Sequence, residues 1–363
     1  MMELSLYIIF ALIVIIASIT PYITRKTESF GVSIPSDYYH HPIPSRFRKH
    51  YFSQSFILGI VFTILFLFIE GEMGTDRFVI VYTVGIFMYL ILTFFVYYRY
   101  HRQMKQLKEK ENWKEKKKEV VAVDIQFYKK KKTYSNIWFI IPLIITIATA
   151  VWLLIRFEDI PEKIPMQYNL DGEVVNWMEK SVGTILLFPL IQFFLIGLFL
   201  FINIVIERSK QQTDPANPKD SIQKNMIFRK RWSLFTIVSS TALVLIFSIP
   251  PISFLYPIDS QILFVITMAI TISIVIGALL LAVTTGQGGS RIKSVNGGTE
   301  EFMNRDDDRY WKLGQFYFNP EDPAVWVEKR FGVGWTVNFA RPIAWIILIL
   351  IVAVPILITI LLV

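Results

Sequence analysis

The chain has 363 residues, 53% of them apolar, a formal net charge of +8 and no cysteine. The missing cysteine excludes disulfides, thiolate catalysis and Cys-ligated metals, and a mean hydropathy of +0.47 argues against an ordinary soluble domain. The basic charge sits in particular loops without a helix-turn-helix or zinc-finger pattern, so it does not read as a nucleic-acid footprint.

Eight runs lack Asp, Glu, Lys and Arg: Leu4–Thr24, Tyr51–Ile69, Phe78–Tyr98, Thr133–Ile155, Ser181–Ile206, Trp232–Ile258, Ser260–Ser290 and Pro342–Val363. About 20 apolar residues cross a hydrocarbon core as a helix, the form that satisfies every backbone group within the segment. The expected fold is an all-α polytopic bundle of about eight transmembrane helices, with a short outer hairpin and a small inner β-containing segment. The first run has no basic residue ahead of it and no small-residue cleavage pattern after it, so it reads as a retained span.

Residues 25–50, 99–132, 208–231 and 291–341 hold 5, 13, 7 and 8 Lys and Arg, against four in all the intervening loops. The positive-inside rule places those four loops in the cytoplasm and both termini outside a cell membrane. The organisation expected is a three-span region (1–98), a basic loop (99–136) and a two-span module (137–206) around an outer loop (156–180). A two-span hairpin (207–283), an aromatic cytoplasmic segment (284–341) and a last span (342–363) follow.

The spans carry only mild polar residues: Gln192, Asn203, Thr146, Thr149, Thr267 and Thr271. These suit hydrogen bonds between helices more than ion coupling, which needs charge or dense carbonyl coordination. Pro142, Pro189, Pro250, Pro251 and Pro355 are expected to kink or end their helices.

The outer loop has six acids against three bases. Pro161 and Pro165 favour extended backbone, Met166–Leu170 alternates like a short strand, and Asp171-Gly172 suits a tight turn. Trp177 fits the headgroup level just before the next helix. The loop reads either as a plain link or as a platform for an extracellular peptide; the residues that would carry the latter are Pro161, Pro165, Gln167, Tyr168, Asn169, Gly172, Trp177 and Lys180.

The stretch Ile160–Glu173, with Trp177 and Glu179-Lys180-Ser181, resembles the module of SdpI-type toxin-immunity membrane proteins, over roughly residues 137–206. Gln167 stands where that family usually has His, so a metal or proton-relay role does not carry over to this position. Arg25–Val32 and the aromatic cytoplasmic segment resemble an uncharacterised Firmicute membrane family carrying the same module. The resemblance implies a Gram-positive immunity or signalling protein.

Within 291–341, Phe331, Val333, Trp335, Val337 and Phe339 alternate with small or polar residues, which predicts a half-buried strand. Asn319–Pro323 reads as a turn between Phe316–Phe318 and Val325–Val327, and Val121, Val123, Ile125 and Phe127 suggest another strand, with helix the competing reading. A small sheet under the bundle follows, serving as an interfacial cap or as a surface for a cytoplasmic regulator; Tyr310, Trp311, Asn319, Trp326 and Trp335 would form that surface. Asp306-Asp307-Asp308 reads as solvated acids before a helical turn, and Gly286–Ser290, failing the nucleotide-loop pattern, as a flexible span exit. Arg99–Glu119 reads as a continuation of the third helix, anchored to lipid. His40, His41 and His50 with Asp37 match no metal-ligand spacing, and Pro42 and Pro44 are expected to break any helix aligning them.

No catalytic residue, cofactor or metal is assigned. The reading is a non-enzymatic membrane protein in peptide-toxin immunity, envelope sensing or signal relay, with the lipid bilayer, an extracellular peptide and a cytoplasmic regulator as partners. The alternative is a transporter or flippase with a polar cavity near Gln192 and Asn203.

Overall fold

The computed structural model describes residues 2–113, 131–168, 173–212, 218–256, 258–293 and 307–361. Its helices are α1 (Met2–Ile23), α2 (Pro42–Glu70), α3 (Thr75–Lys110) and α4 (Ile140–Ile155). There follow α5 (Val182–Arg208), α6 (Pro218–Leu255), α7 (Ser260–Thr285) and α8 (Pro342–Leu361). Among the described residues, seven helices are long and apolar enough to cross a membrane, and α8 is a further apolar helix. The chain is a multi-pass helical membrane protein.

Three helices outrun their apolar stretches at the end where the basic loops lie. α2 starts at Pro42, α3 continues to Lys110, and α6 starts at Pro218, well ahead of Trp232. Pro42 and Pro44 therefore start a helix rather than break one, because the first turn has no use for their missing N–H. Pro142 likewise lies in the first turn of α4, while Pro189, Pro250 and Pro251 sit inside continuous helices and end none of them.

The helices pack as α1–α2–α3 and α4–α5–α6, with α7 against α6 and α1. In the first group the Phe10 ring meets Phe66 and Tyr89 edge-on at 5.2 and 5.3 Å, the arrangement aromatic quadrupoles favour. In the second, Phe139, Ile196, Ile237 and Val244 form the core. Gln192 is fully buried and donates to Val244 O (3.0 Å) and Ser248 Oγ (2.8 Å) on α6. Asn203 is fully buried too and donates to Asn136 Oδ1 (2.7 Å) before α4. Thr149 lies 3.3 Å from Ser248 Oγ. Thr146 and Thr271 instead bond the preceding turn of their own helices, so only part of the polar set joins helices.

At one end of the bundle a hairpin joins α4 to α5; at the other, all the described basic segments converge. That convergence includes a short hairpin of β1 (Glu28–Ser29) and β2 (Val32–Ser33). The aromatic segment supplies β5 (Trp311–Lys312) paired with β6 (Phe316–Tyr317), and β7 (Trp326–Glu328) paired with β8 (Trp335–Val337), all antiparallel. The long strand expected over 331–339 is shortened to β8. Gly332 and Gly334 take φ of +85° and +117°, which turns the chain between β7 and β8 and cancels the period of two. The expected strand at 121–127 lies outside the described residues.

Candidate functional site

Two assemblies carry the chemistry, one at each end of α5 and α6. The first is the hairpin of β3 (Lys163–Tyr168) and β4 (Val174–Glu179), antiparallel with Ile164 opposite Met178 and Pro165 opposite Trp177. It starts three residues earlier than the alternation at Met166 suggests, because a two-stranded ribbon has free edges that tolerate Pro165. Ile160 and Ile164 are buried in a cluster with Leu153, Ile185, Phe188 and Phe254, so the hairpin base is seated on α4, α5 and α6.

Lys180 closes that base. Its backbone N–H donates to Glu162 O (2.8 Å), and its ammonium donates to Ile160 O and pairs with Glu162, both at 3.0 Å. The outward side of β4 presents Glu173, Trp177 and Glu179, all exposed, with Pro161 exposed nearby. Pro165 is half-buried, and Gln167 and Tyr168 contribute β3 backbone. Asn169, Gly172 and the Asp171-Gly172 turn lie outside the described residues.

The second assembly, at the basic end, is a buried ionic lattice. Glu328 on β7 is fully buried and pairs with Arg25, which follows α1, and with Arg229 on α6 (3.2 Å). Asn225 donates to the same carboxylate at 2.7 Å. Arg229, also without exposure, donates to Ile206 O (2.6 Å) and Ser209 O (3.1 Å) at the end of α5, satisfying carbonyls a helix terminus leaves open. Lys210 extends the contact through its N–H to Trp326 O (2.9 Å) and its ammonium to Asp322 (2.6 Å).

Beside it, buried Arg330 pairs with Asp307 and Asp308, while Lys108 from the last turn of α3 pairs with Asp308 at 2.5 Å. Burial alone would raise Asp308, but Arg330 and Lys108 outweigh it and hold the carboxyl well below the usual carboxylate range. Glu28 is the weakly served member. Its carboxylate is 4.0 Å from Arg330 Nε, and its Oε2 has no hydrogen-bond partner. Burial pushes its pKa up to about 7, against the pull of Arg25 and Arg330.

Three expectations are corrected here. Asp307 precedes and Asp308 opens a helical turn (Asp308–Tyr310), but both are ion-paired rather than solvated; Asp306 lies outside the described residues. Lys108, 3% exposed, is a buried ion-pair partner and not a lipid anchor. Gly286–Ser290 is docked rather than flexible: Gln287, with no exposure, donates to Gly334 O (2.9 Å) and accepts from Gly334 N–H (2.7 Å).

The five aromatic-segment residues are not brought to one surface. Trp311 and Asn319 are buried, the former with Arg330 5.2 Å from its ring and the latter bonded to Asn338 and Tyr317. Trp326 packs on Phe201 at 5.4 Å and Trp335 on Phe228 at 5.4 Å. Tyr310 is half-buried. Trp311 belongs to the segment's own core, and Trp326 and Trp335 form its contact with α5 and α6, because two-stranded hairpins are marginal alone and need such packing.

Two stacked turns complete the lattice. Phe30-Gly31 and Leu313-Gly314 are both two-residue turns with positive φ throughout (+48°, +74° and +52°, +74°). They touch through their glycines, since a Cβ on Gly31 would fall 2.2 Å from Gly314 O. Tyr97 Oη donates to both Phe30 O (3.2 Å) and Leu313 O (3.1 Å). Sequence reasoning missed this lattice because isolated Arg, Lys and Glu in basic loops look alike whether solvated or buried. The one available signal was acid within basic or apolar surroundings, as at Glu28 and Glu328.

Residues 144–193 match the model of a domain of unknown function, DUF1648, and residues 320–345 that of a family of unknown function, DUF5808. No curated protein and no solved structure matches the chain. The first matched stretch runs from α4 through the hairpin into α5. The second runs from the Asn319–Pro323 turn through β7 and β8 into α8. The first thus covers most of the outer assembly, whereas the second covers β7, β8 and the turn between them, which supply Glu328 and Arg330 to the lattice, and leaves their partners on other elements outside.

Proposed function

We propose that this is a non-enzymatic sensor or immunity protein of the cell membrane, in which the hairpin meets a cationic secreted peptide outside and the ionic lattice reports it inside. The observation that carries this reading is the shared support. Ile160 and Ile164 of the hairpin rest on one end of α5 and α6, and Arg229 and Glu328 clamp the other end of the same helices to the β module. A ligand that shifts the hairpin changes the footing of both helices, and two discrete packings are what such coupling requires. The Glu173, Trp177 and Glu179 side of β4 supplies acid and an aromatic face, which suits a cation-bearing extended peptide. The basic loops are assigned to the cytoplasm by the positive-inside rule, and the resemblance to toxin-immunity modules supports the same sidedness.

The test is genetic. Cells lacking the gene are challenged with a panel of secreted cationic peptides while an envelope-stress reporter is followed. Increased sensitivity, restored by the wild-type gene but not by Trp177→Ala or Glu173→Lys, is the expected result. Unchanged sensitivity across the panel together with unchanged reporter output removes the reading.

A further inference from the structure

The β5–β6 hairpin carries an apolar surface that the ionic lattice does not use. Leu313, Phe316 and Phe318 are 43%, 41% and 44% exposed. The pleat of β6 turns Tyr317 inward to Trp311, ring centroids 5.1 Å apart, and Phe316 and Phe318 outward. Natural monomers rarely leave such clusters to water.

Two markers fix the level of this surface relative to the bilayer. On one side, Leu313 O accepts from Tyr97 Oη, and Tyr97 is the last residue but one of the uncharged run of α3, which Arg99 ends. On the other, the Phe316 ring lies 5.6 Å from Phe339, which lies 5.6 Å from Trp345, an exposed residue in the first turn of α8. Tyr and Trp at the ends of apolar helices mark the membrane–water boundary. The hairpin is therefore strung between two boundary residues, continuous with the exposed apolar side of α8. Exposed Arg309 and Lys312 flank it, at the depth of anionic headgroups.

We propose that the β5–β6 hairpin is a lipid-contact element, with Leu313, Phe316 and Phe318 entering the bilayer interface and Arg309 and Lys312 meeting anionic headgroups. The occupant is lipid rather than a protein partner, because the surface continues the exposed apolar side of α8 (Trp345, Ile346, Ile349) in a bundle of membrane-crossing helices. The element holds the β module at the membrane surface independently of the clamp on α5 and α6.

The absence of cysteine in the chain makes the test clean. Single variants Leu313→Cys and Phe318→Cys are spin-labelled in nanodiscs containing phosphatidylglycerol, with Ile349→Cys as the lipid-facing reference and Glu321→Cys as the aqueous one. At 313 and 318, collision with oxygen should exceed collision with a water-soluble nickel chelate severalfold, as at 349. Nickel accessibility equal to that at 321 overturns the proposal, and is the result expected of a face awaiting a protein partner. Hydroxyl-radical footprinting of the unaltered chain in the same nanodiscs reads the point without a substitution. Phe316 and Phe318 should be oxidised severalfold more slowly than their exposure implies; oxidation at the rate of an exposed aqueous phenylalanine refutes the insertion.

Discussion

Replacing Glu328 with Gln tests the clamp between the β module and the helices. The substitution keeps the shape and the oxygen that accepts from Asn225 at 2.7 Å. It removes the negative charge facing Arg25 and Arg229, of which Arg229 is fully buried. Breaking a buried pair by removing one partner costs roughly 3–5 kcal/mol, because the other charge stays buried without compensation. Arg229 retains its bonds to Ile206 O and Ser209 O, so the low end, ~3 kcal/mol, is expected. The readout is amide hydrogen exchange at Lys329, Asn338 and Phe339, whose N–H groups bond to Gly334 O, Val325 O and Tyr317 O. Exchange through local opening follows that free energy, and with ~1.4 kcal/mol per factor of ten it should quicken on the order of a hundredfold. Adding Arg229→Met should recover much of the loss by removing the stranded cation. Unchanged exchange in the single variant, or additive losses in the double, would refute the clamp.

Other outcomes follow from the same geometry. Glu28, raised from an ordinary 4.5 to about 7 by burial, favours the folded module when protonated. The stability it contributes is complete below about pH 4.5 and is lost as pH rises through 7, on the order of 3 kcal/mol; Glu28→Gln should flatten a thermal-stability profile taken between pH 5 and 8. Asp308 works in the opposite sense, its contribution being lost only in strong acid. Gly31→Ala, which places a Cβ 2.2 Å from Gly314 O at a φ of +74°, should destabilise the fold by more than the ~1 kcal/mol of a left-handed alanine alone, read as a lowered melting temperature. Gln192→Leu should cost on the order of 1–2 kcal/mol, the range for hydrogen bonds between membrane helices. If that variant abolished uptake of a solute in a proteoliposome flux assay while remaining folded, the transporter reading would gain over the sensor.

The course of the chain across the membrane was written locally. Long uncharged runs leave a helix as the only spanning form that satisfies its own backbone, so α1, α5 and α7 could be placed within a few residues from sequence. The β3–β4 hairpin was legible for the same reason, since Pro161, Pro165 and the strand residues act on neighbouring backbone. What sequence could not convey is which charges leave water. Lys108 and Asp308 are 200 positions apart, and Arg25 and Glu328 are 303; their pairing exists only once α1, α3, α5 and α6 end at a common level. The same distance effect turned Trp311 and Asn319 from expected surface into core, and docked the Gly286–Ser290 exit through Gln287 onto Gly334. Local backbone chemistry determines the spans and turns, whereas desolvation of charge depends on everything that surrounds it, and that is settled only by the packed whole.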